Sequence, residues 1–584
     1  MALDPIDWLI IVAYLLLAVG IGWKLKKGAE GNISDFFLGG RKLPWYIAGI
    51  SMVATTFAAD TPLWVTEKIA QYGISGNWIW WNMLIGGMLT TFFFAKLWRR
   101  AGVLTELEFI ELRYGGKPAS ALRGFKAVYM GLFLNMVIIA WVNVALMTIL
   151  EVFFGLSYSE SFWIMVALMF FVILYSSLAG LKGVAVLDTV QFFIAMGACI
   201  VLAVIVLNED KIGGISGLKA QLPEWRFDFF PKIESGNMEN VVGSYSLTLA
   251  SFLTFGMVQW WSSWYPGAEP GGGGYVSQRM MSARSEKDAL YATLFFQIAH
   301  YCLRPWPWII VALCALVLYP ELEIEESRKG FVFIMRDFLP AGLKGLLLIA
   351  FFSAYMSTIS TQLNWGASYL TNDLYKRFLK SEDKYDSQET AQLDYVRKAR
   401  LFTVFISVCG IVATTFVNSI DSAATFLIEC GAGLGMVLIL RWYWWRINAW
   451  SEISATLMPF IAYTIGNFVL NLPYPYSFLF TVGVTTVTWL VVTFLTAPEN
   501  HKQLADFYER VRPMGNWKPV ATSGRNKGLL RLIIAWISAI TMTYSLLFCI
   551  GKLIFQWWDA ALIWGIVSVV SFVVLKFSFK NDSF

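Results

Sequence analysis

"SMVATTFAADTPLWVTEKIA", residues 51–70, is apolar enough to enter a membrane, yet it holds Asp60 and Pro62 near its middle. Proline removes a backbone donor and clashes with the preceding turn, so a helix here is expected to break. A second stretch, "SFLTFGMVQWWSSWYPGAEPGGGG" at 251–274, carries Gly256, Pro266 and a glycine run. An odd number of apolar spans separates the two, so the second enters the membrane upside down relative to the first. Interrupted helices at corresponding places in two inverted halves point to a transporter's midplane site. Their unwound turns expose carbonyls that suit a small cation.

The rest of the chain agrees with a membrane setting. Of 584 residues, 57% are hydrophobic and only 15% charged, where a soluble protein is nearer a quarter charged. Charge sits in short stretches between about 15 apolar runs of membrane-crossing length, each too long and too uniformly apolar for a barrel strand. The expected fold class is an all-α polytopic membrane protein embedded in a lipid bilayer. The first span begins close to the N-terminus without a small-residue cleavage site and is read as a retained helix.

Basic residues cluster in every second loop, as at Lys24, Lys26 and Lys27, Arg99 and Arg100, Arg279, Arg284 and Lys287, Lys376 and Arg377, and Arg510, Arg512 and Arg525. The positive-inside rule makes that side cytoplasmic, placing the N-terminus outside and the C-terminus inside a plasma membrane. Many tryptophans, as in "NWIWWN" and "RWYWWR", sit at span ends, where interfacial belts account for most of them.

Several enzyme and binding classes find no support. The six cysteines lack metal-ligand spacing and read as small buried hydrophobes. Two histidines suggest no catalytic triad. The glycine run lacks the Gly-Lys-Ser/Thr of a phosphate loop and reads as a hinge or close-packed turn. The alternating basic loops give no footprint for nucleic acid.

Five stretches resemble the sodium:solute symporter family, which includes the sodium/glucose and sodium/proline cotransporters. They are "SDFFLGGRKLPWYIAGISMVATTFAADTP" (34–62), "LTELEFIELRYGG" (104–116), "YSSLAGLKGVAVLDTVQ" (175–191), "YVSQRMMSARSEKDA" (275–289) and "STISTQLNWGASYLTNDLYKR" (357–377). They occur in the family's order, and the likeness runs from about residue 6 to about 500. Ala179 stands where a glycine is usual, and "PGAEPGGGG" and "AHYCLRPWPWII" depart from the pattern.

The resemblance implies a leucine-transporter-type inverted-repeat core of five plus five helices. Residues 1–28 would form an extra N-terminal helix, 40–210 the first repeat and 240–446 the second. Residues 450–584 would add C-terminal helices around a cytoplasmic loop at 497–528.

The resemblance also implies a sodium site between the first core helix and the eighth. Its ligands would be the backbone oxygens of Ala54, Phe57 and Ala354 and the hydroxyls of Ser357 and Thr358. Oxygen from freed carbonyls and hydroxyls suits a hard cation that must also be released. Ser and Thr in a membrane helix otherwise bond back into their own helix or to a neighbour.

Some members bind a second sodium, and the matching residues are Asp188, Ser360 and Thr361. Ser357, Ser360 and Thr361 share one helical face. Asp188 reads either as a ligand or as a helix N-cap. As a ligand it implies two sodium ions per solute.

Asp60 and Thr61 fall where family members touch substrate. Trp260, Trp261, Trp264 and Tyr265 are candidates for stacking on a ligand or gating it. Arg304 is a functional candidate as an intramembrane cation, either for a substrate carboxylate or in a buried pair with Glu429, the pair being favoured.

The expected function is sodium-driven symport of a small polar organic solute: sugar, amino acid or carboxylate. The alternative is a non-transporting sensor built on the same core, against which the short tail "SFKNDSF" argues. A membrane enzyme is disfavoured by the lack of a polar catalytic cluster.

Overall fold

The computed structural model describes residues 3–25, 32–231, 248–417, 420–521 and 528–579. Lys26, Lys27 and Arg525, the first residues of the expected second repeat, and parts of the expected 497–528 loop and of the tail lie outside the described residues. The described chain is helical, with two isolated bridges in place of any sheet.

Eight described helices are long and apolar enough to cross a membrane. The pair Ala423–Cys430 and Leu434–Tyr443, bent by 48°, makes nine. The other predicted spans are assembled from shorter pieces, which is why length alone returns fewer than about 15. Pro5–Ile21, Trp45–Thr55 and Tyr158–Leu174 are such pieces. Both stretches predicted to break do break. The first gives Trp45–Thr55 and Asp60–Tyr72 around residues 56–59. The second runs from Leu249 to Ser262 and resumes as Gly274–Ser282.

Burial sorts core from periphery. The most apolar window of Leu343–Leu379 is 94% buried and that of Trp558–Ser578 only 17%, so the former is central and the latter faces lipid. Leu343–Ser368, the hydroxyl-bearing helix, packs on the first broken helix and on the helix that follows Gly180. At Gly180 one long helix turns, with φ +57, separating two predicted spans. Pro5–Leu25 packs on both of these helices.

Two close contacts fix the central helix. Asn135 donates to the Gln362 carbonyl at 2.8 Å, and Gly366 lies against Gly131. Small residues at such a crossing let backbones approach closely in lipid. Toward the basic loops, Arg377, just beyond this helix, donates to Glu111 at 2.9 Å, and Arg123 donates to the same carboxylate at 2.6 Å. Burial alone would raise the Glu111 carboxyl, but the donors Arg377, Ser120 and Arg123 outweigh it and hold it at about 2. The stability this lends is present above the ordinary glutamate value and is lost as pH falls toward about 2.

A Cβ at Gly366 would lie 2.2 Å from Asn135 Nδ2 and 2.6 Å from the Gly131 carbonyl oxygen. Alanine favours helix over glycine by about 1 kcal/mol, whereas overpacking a close crossing costs about 1–3 kcal/mol. Gly366→Ala is therefore expected to lower the melting temperature of the purified protein. An unchanged or higher value would refute this account of the crossing.

Candidate functional site

The hydroxyl-bearing helix meets the break of the first core helix where the residue types demand it. Once the helix stops at Phe57 and Ala58, carbonyls in this region need partners that lipid does not provide. Thr358 Oγ1 donates to the Thr55 carbonyl at 2.9 Å, and Thr55 Oγ1 lies 3.1 Å from Thr361 Oγ1. The Ala54 carbonyl accepts from Phe57 N at 3.0 Å. Ala54, Phe57, Ala354, Ser357 and Thr358 are all buried. Of the expected first-site hydroxyls, that of Thr358 reaches the break.

Ser357 points elsewhere. Its hydroxyl donates to Asp188 Oδ1 at 2.6 Å, and the Ser51 hydroxyl donates to Asp188 Oδ2 at 2.6 Å. Asp188 lies inside the helix Gly180–Leu207 and is buried, so it is not an N-cap.

Arg279 supplies a charge that the sequence reading misplaced. Read there as a loop residue, it is wholly buried on Gly274–Ser282. It donates to Thr361 Oγ1 at 2.7 Å and lies 3.9 Å from Asp188 Oδ2. The half-helix that resumes after the glycine run carries it inward. Ser360, the third expected second-site residue, donates to the Ser357 carbonyl of its own helix at 3.1 Å.

Beside the break lies a cavity of about 90 Å³. Asp60, Thr61, Tyr265 and Arg304 line it, as do Trp80, Trp141, His300 and Gln362, which sequence reasoning missed. Tyr265 stacks on Trp141 with ring centroids 6.5 Å apart. Trp260 and Trp264 do not line it. Trp260 bonds the Gly256 carbonyl and packs near Trp536, while Trp264 is held at Gly431. They sit on the half-helix before the break and at the break's outset, turned toward neighbouring helices.

The expected Arg304–Glu429 pair is absent. Glu429 accepts instead from Asn467 at 3.0 Å and Ser477 at 3.1 Å. Arg304 donates to the Val53 carbonyl at 3.1 Å and to Thr56 Oγ1 at 2.9 Å, and Thr56 Oγ1 also lies 3.0 Å from His300 Nδ1. Its guanidinium is buried beside the rings of Phe57 and Trp308, which pack on each other with centroids 4.9 Å apart. Neutral hydrogen-bond partners at the broken helix have replaced the acid partner the sequence suggested.

Residues 36–458 match the model of the sodium:solute symporter family. The chain belongs to that family. A sodium/glucose cotransporter of Vibrio parahaemolyticus is 24% identical over 523 residues, covering 84% of this chain and 91% of its own. Sodium/proline symporter 2 of Staphylococcus saprophyticus is 24% identical over 456 residues, covering 75% and 81%. A solved structure of a Na+-coupled sialic acid symporter, bound to substrate and open outward, superposes with a TM-score of 0.67 at 20% identity. That match covers 85% of this chain and 99% of the other. The fold is the leucine-transporter type, and the chain is a sodium-coupled symporter, not an enzyme.

Asp188→Asn keeps the size of the side chain, turns one of the two oxygens that accept from Ser51 and Ser357 into a donor, and removes the charge, leaving Arg279 without a counterion. Breaking a buried pair this way costs about 3–5 kcal/mol. The variant is expected to be less stable than wild type, read as a lower melting temperature of the purified protein. Wild-type stability would show that Arg279 does not depend on Asp188.

Proposed function

We propose that this symporter imports a small zwitterionic solute of the amino-acid class, with Arg304 reading its carboxylate and Asp60 its ammonium group. One observation carries the reading: a buried guanidinium at the cavity has no carboxylate within ion-pair distance among the described residues. A buried charge calls for a partner. Asp60 supports the other half, because its Oδ1 is shut from solvent and has no hydrogen-bond partner. The aromatic walls, Trp80, Trp141 and Tyr265, suit the apolar body of such a solute.

The first sodium site is proposed at the oxygens of Ala54, Phe57, Ala354, Ser357 and Thr358. A sodium ion there would bring Ser357 away from Asp188 and would share Thr358 with the break. A second ion, at Asp188, Ser360 and Thr361, would compete with Arg279 for the same carboxylate. The N-terminus is proposed to face outward and the C-terminus the cytoplasm, following the basic loops.

Three measurements test this. Loss of both hydroxyls in Ser357→Ala/Thr358→Ala is expected to raise the sodium concentration for half-maximal uptake roughly 10-fold or more, at about 1 kcal/mol per hydroxyl. An unchanged sodium dependence would remove the site. Arg304→Gln is expected to weaken uptake of a zwitterion roughly 30-fold or more, since losing one side of a buried charge pair costs about 2 kcal/mol at least. Wild-type discrimination in favour of neutral sugars in a proteoliposome uptake screen would defeat the zwitterion assignment. Cysteine labels at 321–330 should react from outside and those at 380–395 only from the cytoplasm, and the reverse pattern would overturn the orientation.

A further inference from the structure

The glycine run departs from the family pattern and closes on two carboxylates. Gly274 N donates to Glu106 Oε2 at 2.7 Å. A Cβ at Gly273 would lie 3.0 Å from that oxygen and 3.1 Å from Glu269 Cβ, and one at Gly274 would lie 2.5 Å from Glu269 Oε1. Only glycine leaves room for both glutamates against this turn.

The two glutamates differ in their surroundings. Glu106 accepts also from the Tyr369 hydroxyl at 3.0 Å and lies 3.6 Å from Arg441, so it is furnished to carry a charge. Glu269 is only 3% exposed, and no side chain donates to either of its oxygens. No cation lies within ion-pair distance of it among the described residues. Arg441 is shared between Glu106 and Glu452, and Lys126 is committed to Glu452. Arg113 is turned to the carbonyls of Arg441, Trp444 and Ile447 at a helix end. Tyr275 of the same segment and Glu106 of the facing loop are the titratable groups that bear on Glu269.

We propose that Glu269 binds a proton, held against the ionised Glu106, and that this proton locks the glycine-rich break against the loop before Glu108. A metal ion fits less well. Glu106 has already given Oε2 to two donors and lies 3.6 Å from Arg441, which leaves a cation few free oxygens. Among the described residues no group of three or more His, Cys, Asp or Glu is placed to hold a metal. With the proton bound, the contact is between one charged and one neutral carboxyl. With it gone, two like charges meet in a low-dielectric site and part. Ala268, the residue before Glu269, lines the central cavity, so parting would open the cavity floor toward the basic-loop side.

Infrared difference spectra of the full-length protein in lipid, taken between acid and alkaline buffer, test the proton directly. Wild type is expected to show a protonated-carboxyl C=O band at neutral pH that Glu269→Gln lacks. In Glu106→Gln the band should remain, with its midpoint moved about one pH unit toward acid because the like charge is gone. A wild type without the band, or a Glu269→Gln variant that keeps it in full, would overturn the proposal. A band abolished by sodium at fixed pH would also overturn it and make the pair a sodium site. The lock has its own readout, in a variant with the six native cysteines replaced and Ala268→Cys added. Its labelling from the basic-loop side, divided by that of the same variant carrying Glu269→Gln, should rise severalfold on alkalinisation. A constant ratio would refute the lock.

Discussion

Backbone carbonyls released inside a membrane have to find donors or cations, and the architecture is organised around that need at residues 53–57. Thr358 answers the Thr55 carbonyl, and Arg304 adds a donor at the Val53 carbonyl, which still accepts the last helical bond from Phe57 N. Both partners come from helices outside the first core helix, so the break cannot form in isolation. The same requirement explains why a chain that is 57% hydrophobic concentrates hydroxyls on its most buried helix. In water those hydroxyls would have abundant partners. Inside the protein they are the hydrogen-bond currency through which two broken elements and a central helix recognise one another.

That arrangement suits a reversible cation site. Hydroxyls and carbonyls hold an ion without a formal charge of their own, so release costs little. Asp188 introduces a charge next to this set, and Arg279 answers it from the second broken helix. The two broken helices are therefore linked twice, through Thr361 and through Asp188. The first broken helix contributes Ser51 and Thr55, and the second contributes Arg279, which donates to Thr361 on the central helix. A change at one break is felt at the other through groups that have few alternative partners.

Much of this was legible from local chemistry. Pro62 and the glycine run announced both breaks, because proline and glycine act on the backbone of their own segment. Hydroxyl spacing announced the face that Ser357 and Thr361 share, because helical period is local. The errors were failures of distance. Arg279 looked like one of a basic loop cluster with Arg284 and Lys287, and nothing in its neighbours revealed that its half-helix turns inward. Arg304 was matched to Glu429 because both are buried acid and base, yet Asn467 and Ser477 from a flanking helix region satisfy Glu429. Trp260 and Trp264 shared a segment with Tyr265, but the break rotates Tyr265 into the cavity and leaves them outside. Pairings between remote helices depend on tertiary geometry that periodicity does not encode.

The charge of the solute bears on how many ions the cycle needs. One positive charge moving through about 100 mV releases about 2.3 kcal/mol, and a tenfold sodium gradient adds about 1.4 kcal/mol. A neutral or zwitterionic solute carried with one sodium can thus be concentrated roughly 500-fold. A monoanion carried with one sodium moves no net charge, the potential drops out, and the limit falls to about tenfold. A cavity presenting Arg304 alone would invite the anion and make a second ion valuable. A cavity presenting Arg304 and Asp60 together selects a solute with no net charge, for which one ion already suffices. In that case the close approach of Arg279 to Asp188 is no obstacle to transport. On that proposal the guanidinium would stand in for a second cation beside the carboxylate, and the proposed first site would carry the driving force.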